Sequence, residues 1–248
     1  MKHPPWLLAP EQATLETGQR LMLSSAEARH ATGALRLTTG RPVVLTDGRG
    51  SVAHGVLALA SRVRAEVVIE RVEHLPKPTE CLTLAVAVLA GSAMDMVVQK
   101  SVELGVGVVL PVRTERSQLS LKRAASRCGH WDRVGEQALK QCRRAWAMEI
   151  ATPVELGDVV GGGMRRFGVV AHSKGRPIEE LPSPRGRLLL VGPEGGFSTA
   201  EERCLEAAGW PRVSLGPHVL RTETAAIVGA ARLIALLESR SGLHSSDV

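Results

Sequence analysis

Tyrosine is missing from this chain of 248 residues, and two phenylalanines and four tryptophans are all it has of the large aromatics. Proteins that read single-stranded nucleic acid by stacking bases need several such rings, so any contact with nucleic acid is expected to be electrostatic and shape-based. Cysteine is scarce too. Cys81, Cys128, Cys142 and Cys204 lie far apart with no C-x-x-C pair, which suits a reducing compartment where a free thiol behaves as a small hydrophobe. Cys128-Gly129-His130 lacks the further ligands a zinc site needs, so no metal is expected. No stretch reads as a signal peptide and no run of about 18 apolar residues could span a bilayer, so a soluble, cytoplasmic protein is expected. Neither G-x-x-x-x-G-K-[ST] nor G-x-G-x-x-G occurs, and Gly161-Gly162-Gly163 is only a flexible turn. Nucleotide hydrolases and dinucleotide-binding enzymes lose their usual signatures here.

What is present suffices for a core: 44% of residues are hydrophobic, drawn mainly from Leu, Val, Ala and Ile. The length allows one large or two modest domains. Net charge is +6, and the stretch 113–144 carries nine basic against three acidic residues, a surplus equal to that of the whole chain. Either a solvated face or a phosphate-contacting strip accounts for it. Arg outnumbers Lys 25 to 6, which favours bidentate phosphate contacts, although a genome-wide base bias gives the same excess. Arg113, Arg116, Lys140, Arg143 and Arg144 are the candidate RNA contacts. The last three end a helix expected at 131–144, where the helix dipole favours positive charge in any case.

Residues 1–75 read as a small β-rich domain. Strands at 42–46 and 52–59 flank Asp47-Gly48, a hairpin signal; a third strand covers 67–72, and 30–36 forms a short helix. Net charge here is only +2. Pro76-Lys77-Pro78 is the linker. Beyond it the pattern changes. Residues 82–90 form a continuous apolar strand, as in a sheet covered on both faces. A helix from Met94 puts Met94, Val97, Val98 and Val102 on one stripe and closes at Gly105. With a strand at 106–112 this makes a βαβ unit. A further strand, 167–171, leads to His172-Ser173. The tail, 241–248, is polar and expected to fray.

The stretch 188–226 organises the rest. Its apolar start, 188–191, reads as a buried strand running into Gly192-Pro193-Glu194-Gly195-Gly196, which can continue neither strand nor helix. Ser198 with Glu201 fits a capping box, and Gly209 ends that helix. A strand at 213–215 meets a second loop at Gly216-Pro217, and a final helix runs from about 222 to 238. Two such loops leaving adjacent strand ends are where open α/β sheets bind ligands.

GPEGGF at 192–197 followed by LGPHVLRTETAA at 215–226 resembles the signature of the ribosomal RNA small subunit methyltransferase E family, among the trefoil-knotted methyltransferases called SPOUT. MDMVVQKSVELGV at 94–106 and Thr114-Glu115-Arg116-Ser117 match it too, while Gly91-Ser92-Ala93 departs with small residues where relatives usually carry charged ones. The resemblance implies an α/β protein: a PUA-like, RNA-binding β-barrel at 1–75, then a parallel-sheet SPOUT domain at 76–248 with a trefoil knot near 188–226. It implies a homodimer, without a membrane, using S-adenosyl-L-methionine to methylate N3 of a uridine in 16S ribosomal RNA, in the assembled small subunit. A knotted methyltransferase acting elsewhere on RNA or on a ribose, and an inactive RNA-binding assembly factor, remain alternatives. For the cofactor the candidates are His172, Gly192, Pro193, Glu194, Gly195 and Gly196, then Leu215, Gly216, Val219, Leu220, Thr222 and Ala225. A branched side chain at Gly196 is expected to enter the slot. Transfer needs no metal, only a positioned acceptor and a managed proton. Arg221 would stabilise charge on the base, or pair with Glu194 or Glu223; one of those carboxylates would take the proton.

Overall fold

Alternating buried and half-exposed residues along 51–60 and 65–74 build two long strands on which the first of two units rests. The computed structural model describes residues 3–61, 63–161, 168–181 and 187–241. Gly162, Gly163, Phe167 and 242–248, which figure in the expectations above, lie outside them.

The first unit comprises Met1–Thr79 and Glu136–Ala147. Strands β1 (Trp6–Leu8), β2 (Arg20–Met22), β3 (Pro42–Thr46), β4 (Ser51–Ala60) and β5 (Ala65–His74) form one sheet in the order β1-β3-β4-β5-β2. Only β1–β3 is parallel. Leu7, Leu45, Leu57, Val67 and Ile69 fill its core. The Asp47-Gly48 turn joins β3 to β4, with the Asp47 carboxylate accepting Arg49 N and Ser51 N at 2.7 and 3.0 Å. The helix expected at 30–36 begins earlier, as α1 (Ser25–Arg29), because the Ser24 hydroxyl accepts Glu27 N. It continues as a π turn, His30–Ala34. Residues 136–147, assigned from sequence to the second domain, are bound into this unit by long-range contacts. Gly50 N donates to Ala145 O at 3.0 Å and Ala147 N to Gly48 O at 2.8 Å, while the Trp146 ring lies where a Cβ on Gly50 would be.

The second unit comprises Glu80–Gly135 and Met148–Val248. It contains β6 (Thr83–Ala87), α2 (Ser92–Glu103), β7 (Val108–Arg113), α3 (Leu121–Ala125) and the start of α4 (Cys128–Cys142). These are followed by β8 (Glu149–Ile150), β9 (Val154–Glu155), α5 (Leu156–Gly161), β10 (Gly168–Pro177), β11 (Leu188–Val191), α6 (Thr199–Ala207), β12 (Arg212–Ser214) and α7 (Thr222–Ser241). The sheet order is β12-β10-β11-β6-β7-β8, with β9 also on β7, and every pair is parallel. All of β6 and β11 is buried, as in a central parallel sheet. The α2 stripe of Met94, Val97, Val98 and Val102 forms as expected.

Several boundaries move. The strand expected at 82–90 is Thr83–Ala87, with Val88 N still donating to Val112 O at 3.0 Å, and Gly91, at φ 63°, stands at the start of α2. The helix expected at 131–144 is Cys128–Cys142 and ends where Arg143 turns left-handed at φ 60°. The larger correction concerns topology. β11 and β12 are not neighbours: β10 lies between them and pairs with both.

Candidate functional site

Because all strands of the second sheet are parallel, the loops after β11 and β12 and the excursion within β10 open on one side. There they enclose a cavity of about 360 Å³, within the range of small-molecule sites. After β11, Gly192, Pro193, Glu194 and Gly196 line it, joined by Val191 and Phe197. A Cβ on Gly192 would stand 2.8 Å from the Phe197 ring, so any larger residue must displace that ring. Gly196, at φ 69°, closes the turn through Gly196 N→Pro193 O at 2.9 Å. A Cβ there would meet no protein atom within 4 Å, so open space lies beside this lining residue, and its left-handed backbone adds strain to any substitution. Gly195 is not part of the wall. Its carbonyl accepts Arg116 Nη1 at 2.5 Å.

After β12, Leu215, Gly216, Val219 and Leu220 contribute as expected, together with Ser214 and His218. Ser214 Oγ donates to Gly216 O at 3.0 Å and steadies this loop. The buried hydroxyl of Thr222 donates to Gly192 O at 3.1 Å, tying the start of α7 to the loop after β11. Thr222 and Ala225 complete that side. The third wall comes from β10. It pairs with β12 at Ala171 and again at Arg176, so residues 172–175 loop out between. Gly175 permits this, since its Cβ would lie 2.5 Å from the Val213 backbone. His172 and Ser173 in that excursion reach the cavity. His172 Nδ1 accepts Lys174 N at 3.1 Å, and Nε2 lies 3.9 Å from Glu202.

Of the proposed reactive groups, only Glu194 lines the cavity. Glu223 is half-buried in the first turn of α7 and Arg221 is exposed between Leu220 and Thr222. The alternative in which Arg221 pairs with Glu194 or Glu223 is not realised, since neither ion pair forms among the described residues. Sequence reasoning missed Ala171, Val191, Phe197, Glu202, Ser214 and His218. Phe197 and His218 stand inside the two quoted motifs and carried a signal. Glu202 carried none: its carboxylate reaches the wall from α6 while bonded to Arg212.

The basic candidates separate. Lys140 is buried, its ammonium bonded to Glu27 at 2.5 Å, so it is withdrawn from any phosphate. Arg113 pairs with Glu155 at 2.8 Å. Arg143 is exposed and Arg144 half-buried; both belong to the first unit, whereas Arg113 and Arg116 belong to the second.

A parallel α/β sheet with its ligand cavity outside the carboxyl ends of the strands defines the class, and residues 76–234 match the RNA methyltransferase domain family. A Synechocystis protein named ribosomal RNA small subunit methyltransferase E is 31% identical, the alignment covering 94% of this chain and 78% of the relative. An Aquifex aeolicus protein of that name is 33% identical over 66% of this chain and 73% of its own. The solved Neisseria gonorrhoeae ribosomal RNA small subunit methyltransferase E, bound to S-adenosyl methionine, superposes with a TM-score of 0.84 at 28% identity, covering 94% of this chain and 98% of that one. A Legionella pneumophila chain solved with bound SAM gives 0.86 at 30% identity, over 96% and 98%. The chain belongs to the ribosomal RNA small subunit methyltransferase E family.

Proposed function

We propose that the chain methylates N3 of a uridine in 16S ribosomal RNA with S-adenosyl-L-methionine, on the assembled small subunit. The observation that carries this is the convergence of three strand-end loops on one cavity, two of them joined by Thr222 and Gly192. The cavity suits the group. Two glycine-containing loops bring main chain close to the space an adenine edge would take, and Val191, Leu215 and Leu220 supply apolar wall. When bound, the cofactor's sulfonium presents an already activated methyl group. Arg221, exposed beside the cavity, holds a uracil carbonyl and the negative charge that develops as N3 loses its proton. Glu194, a wall carboxylate with no bond to Arg212 of the kind that engages Glu202, takes that proton; Glu223 instead favours the N-terminus of α7.

The remaining parts of the proposal are architectural. The first unit is a PUA-like RNA-binding domain, supported by its five-stranded sheet. The chain between β11 and α7 forms a trefoil knot, supported by the interleaved order β12-β10-β11-β6. The protein acts as a cytoplasmic homodimer through α7, whose Ile227, Val228, Ile234 and Leu236 are only partly covered. Among the described residues no helix is long and apolar enough to cross a membrane.

Calorimetric titration with S-adenosyl-methionine, followed by mass-spectrometric mapping of small subunits incubated with protein and cofactor, tests the reading. One N3-methyluridine per subunit is expected. Cofactor binding with modification at a different atom would reassign the acceptor, and RNA binding without cofactor binding would leave an assembly factor.

A further inference from the structure

Gly195 has no backbone reason to be glycine. It is absent from the positive-φ residues that include Gly196 beside it, and it does not face the cavity. Its neighbour explains it. A Cβ on Gly195 would lie 3.2 Å from Cδ of Arg116, whose Nη1 donates to the Gly195 carbonyl at 2.5 Å. Arg116 stands in a loop that is itself tightly closed. Thr114 N donates to Ser117 Oγ at 2.9 Å, Ser117 N returns to Thr114 O at 3.1 Å, and Thr114 is buried. A second bond runs parallel to the first. Glu115 N donates to Glu201 Oε1 at 2.8 Å, while Oε2 of that carboxylate accepts Ser198 N at 2.8 Å in the capping box of α6. The loop after β7 thus holds the loop after β11 directly at Gly195 and, through the Glu201 carboxylate, at Ser198 just beyond the turn.

We propose that Arg116 is a positioning residue for the cofactor loop 192–196, held through the Gly195 carbonyl, and that residue 195 is glycine to admit the arginine side chain. This rests on the function proposed above and changes the role of Arg116 from a phosphate contact to a brace behind the cavity wall. A guanidinium donor to a carbonyl is charge-assisted, and it bears on the turn that places Pro193, Glu194 and Gly196 in the wall.

A double-mutant cycle tests it. Arg116→Ala and Gly195→Ala are each expected to weaken S-adenosyl-methionine binding about tenfold by calorimetry. Combined, they are expected to weaken it no further than either alone, because both remove one contact. Arg116→Lys, with one donor in place of the fork, is expected to recover part of the loss. Melting temperatures of all four variants near that of wild type show that the fold is intact. Hydrogen exchange at the Gly196 amide of the cofactor-free protein follows the loop independently, and it is expected to quicken in both single variants. Multiplicative losses, or an Arg116→Ala protein that binds cofactor and exchanges like wild type while losing only RNA affinity, would overturn the brace. Wild-type protein that fails to bind the cofactor would instead overturn the proposed function, and the exchange measurement would still decide whether Arg116 holds the loop.

Discussion

Gly192 and Gly196 flank the same turn and are glycine for different physical reasons. At Gly192 the obstacle is the Phe197 ring, 2.8 Å from any Cβ; at Gly196 it is the backbone, left-handed at φ 69° with open space around it. Gly192→Ala must therefore push an aromatic ring that lines the cavity, an overpacking cost of about 1–3 kcal/mol, and it should lower both melting temperature and cofactor affinity. Gly196→Ala should cost about 1 kcal/mol through strain alone. Calorimetry showing wild-type cofactor affinity for Gly192→Ala would contradict the steric account. Arg221 is a different case, because it lies outside the wall and carries no ion pair to Glu194 or Glu223. Arg221→Lys keeps the charge and loses the planar fork. Single-turnover methylation should fall roughly a hundred- to a thousandfold, as when one preorganised donor is removed, with cofactor affinity nearly intact. A rate within about threefold of wild type would end the catalytic assignment.

Helix α4 has its C-terminal half in the first unit, and a buried ion pair secures it there. The Lys140 and Glu27 side chains are 4% and 10% exposed, and Glu27 also accepts Leu8 N at 3.2 Å. Breaking such a pair from one side leaves an uncompensated buried charge, so Lys140→Met should destabilise by about 3–5 kcal/mol in urea denaturation. Glu27→Leu with Lys140→Met should recover much of that loss but not all, since Leu8 N then lacks its acceptor. The same cluster sets a pH response. Burial first, and then the Lys140 ammonium, push the His30 pKa below its ordinary 6.5, with Glu27 opposing. The unfolded chain then binds more protons than the folded one between the lowered value and 6.5, so stability rises with pH through that window and falls on acidification. Melting temperatures recorded below and above pH 6.5 should show this slope, and His30→Asn should flatten it.

Over the whole molecule the basic surplus at 113–144 is less available than its count implies. Lys140 is buried, Arg113 is paired with Glu155, and Arg116 holds Gly195. Arg143 remains exposed at a helix end whose φ of 60° would suit glycine better, and Arg144 follows it. If these two meet phosphates, Arg143→Gln with Arg144→Gln should weaken RNA binding and flatten its salt dependence by about 0.7–0.9 per lost contact. A variant slope equal to wild type, measured by filter binding at several salt concentrations, would return the pair to the solvated surface.

Local chemistry was readable from the sequence wherever a residue acts on its own neighbourhood. The β11 strand, the Ser198–Glu201 capping box, the Asp47-Gly48 turn and the α2 stripe depend on periodicity, caps and turn residues a few positions apart. Most of the cavity wall was readable as well, because its glycine-proline loops are contiguous motifs. Three things were decided only by the tertiary structure. β10 inserts between β11 and β12 because parallel pairing joins segments distant in sequence, which no local pattern records. Lys140 leaves the basic surface because a carboxylate 113 residues away lies buried beside it. Gly195 and Arg116, 79 residues apart, become one contact only once their strands share a sheet. A residue's charge and flexibility are properties of the sequence; the partner that uses them is chosen by the fold.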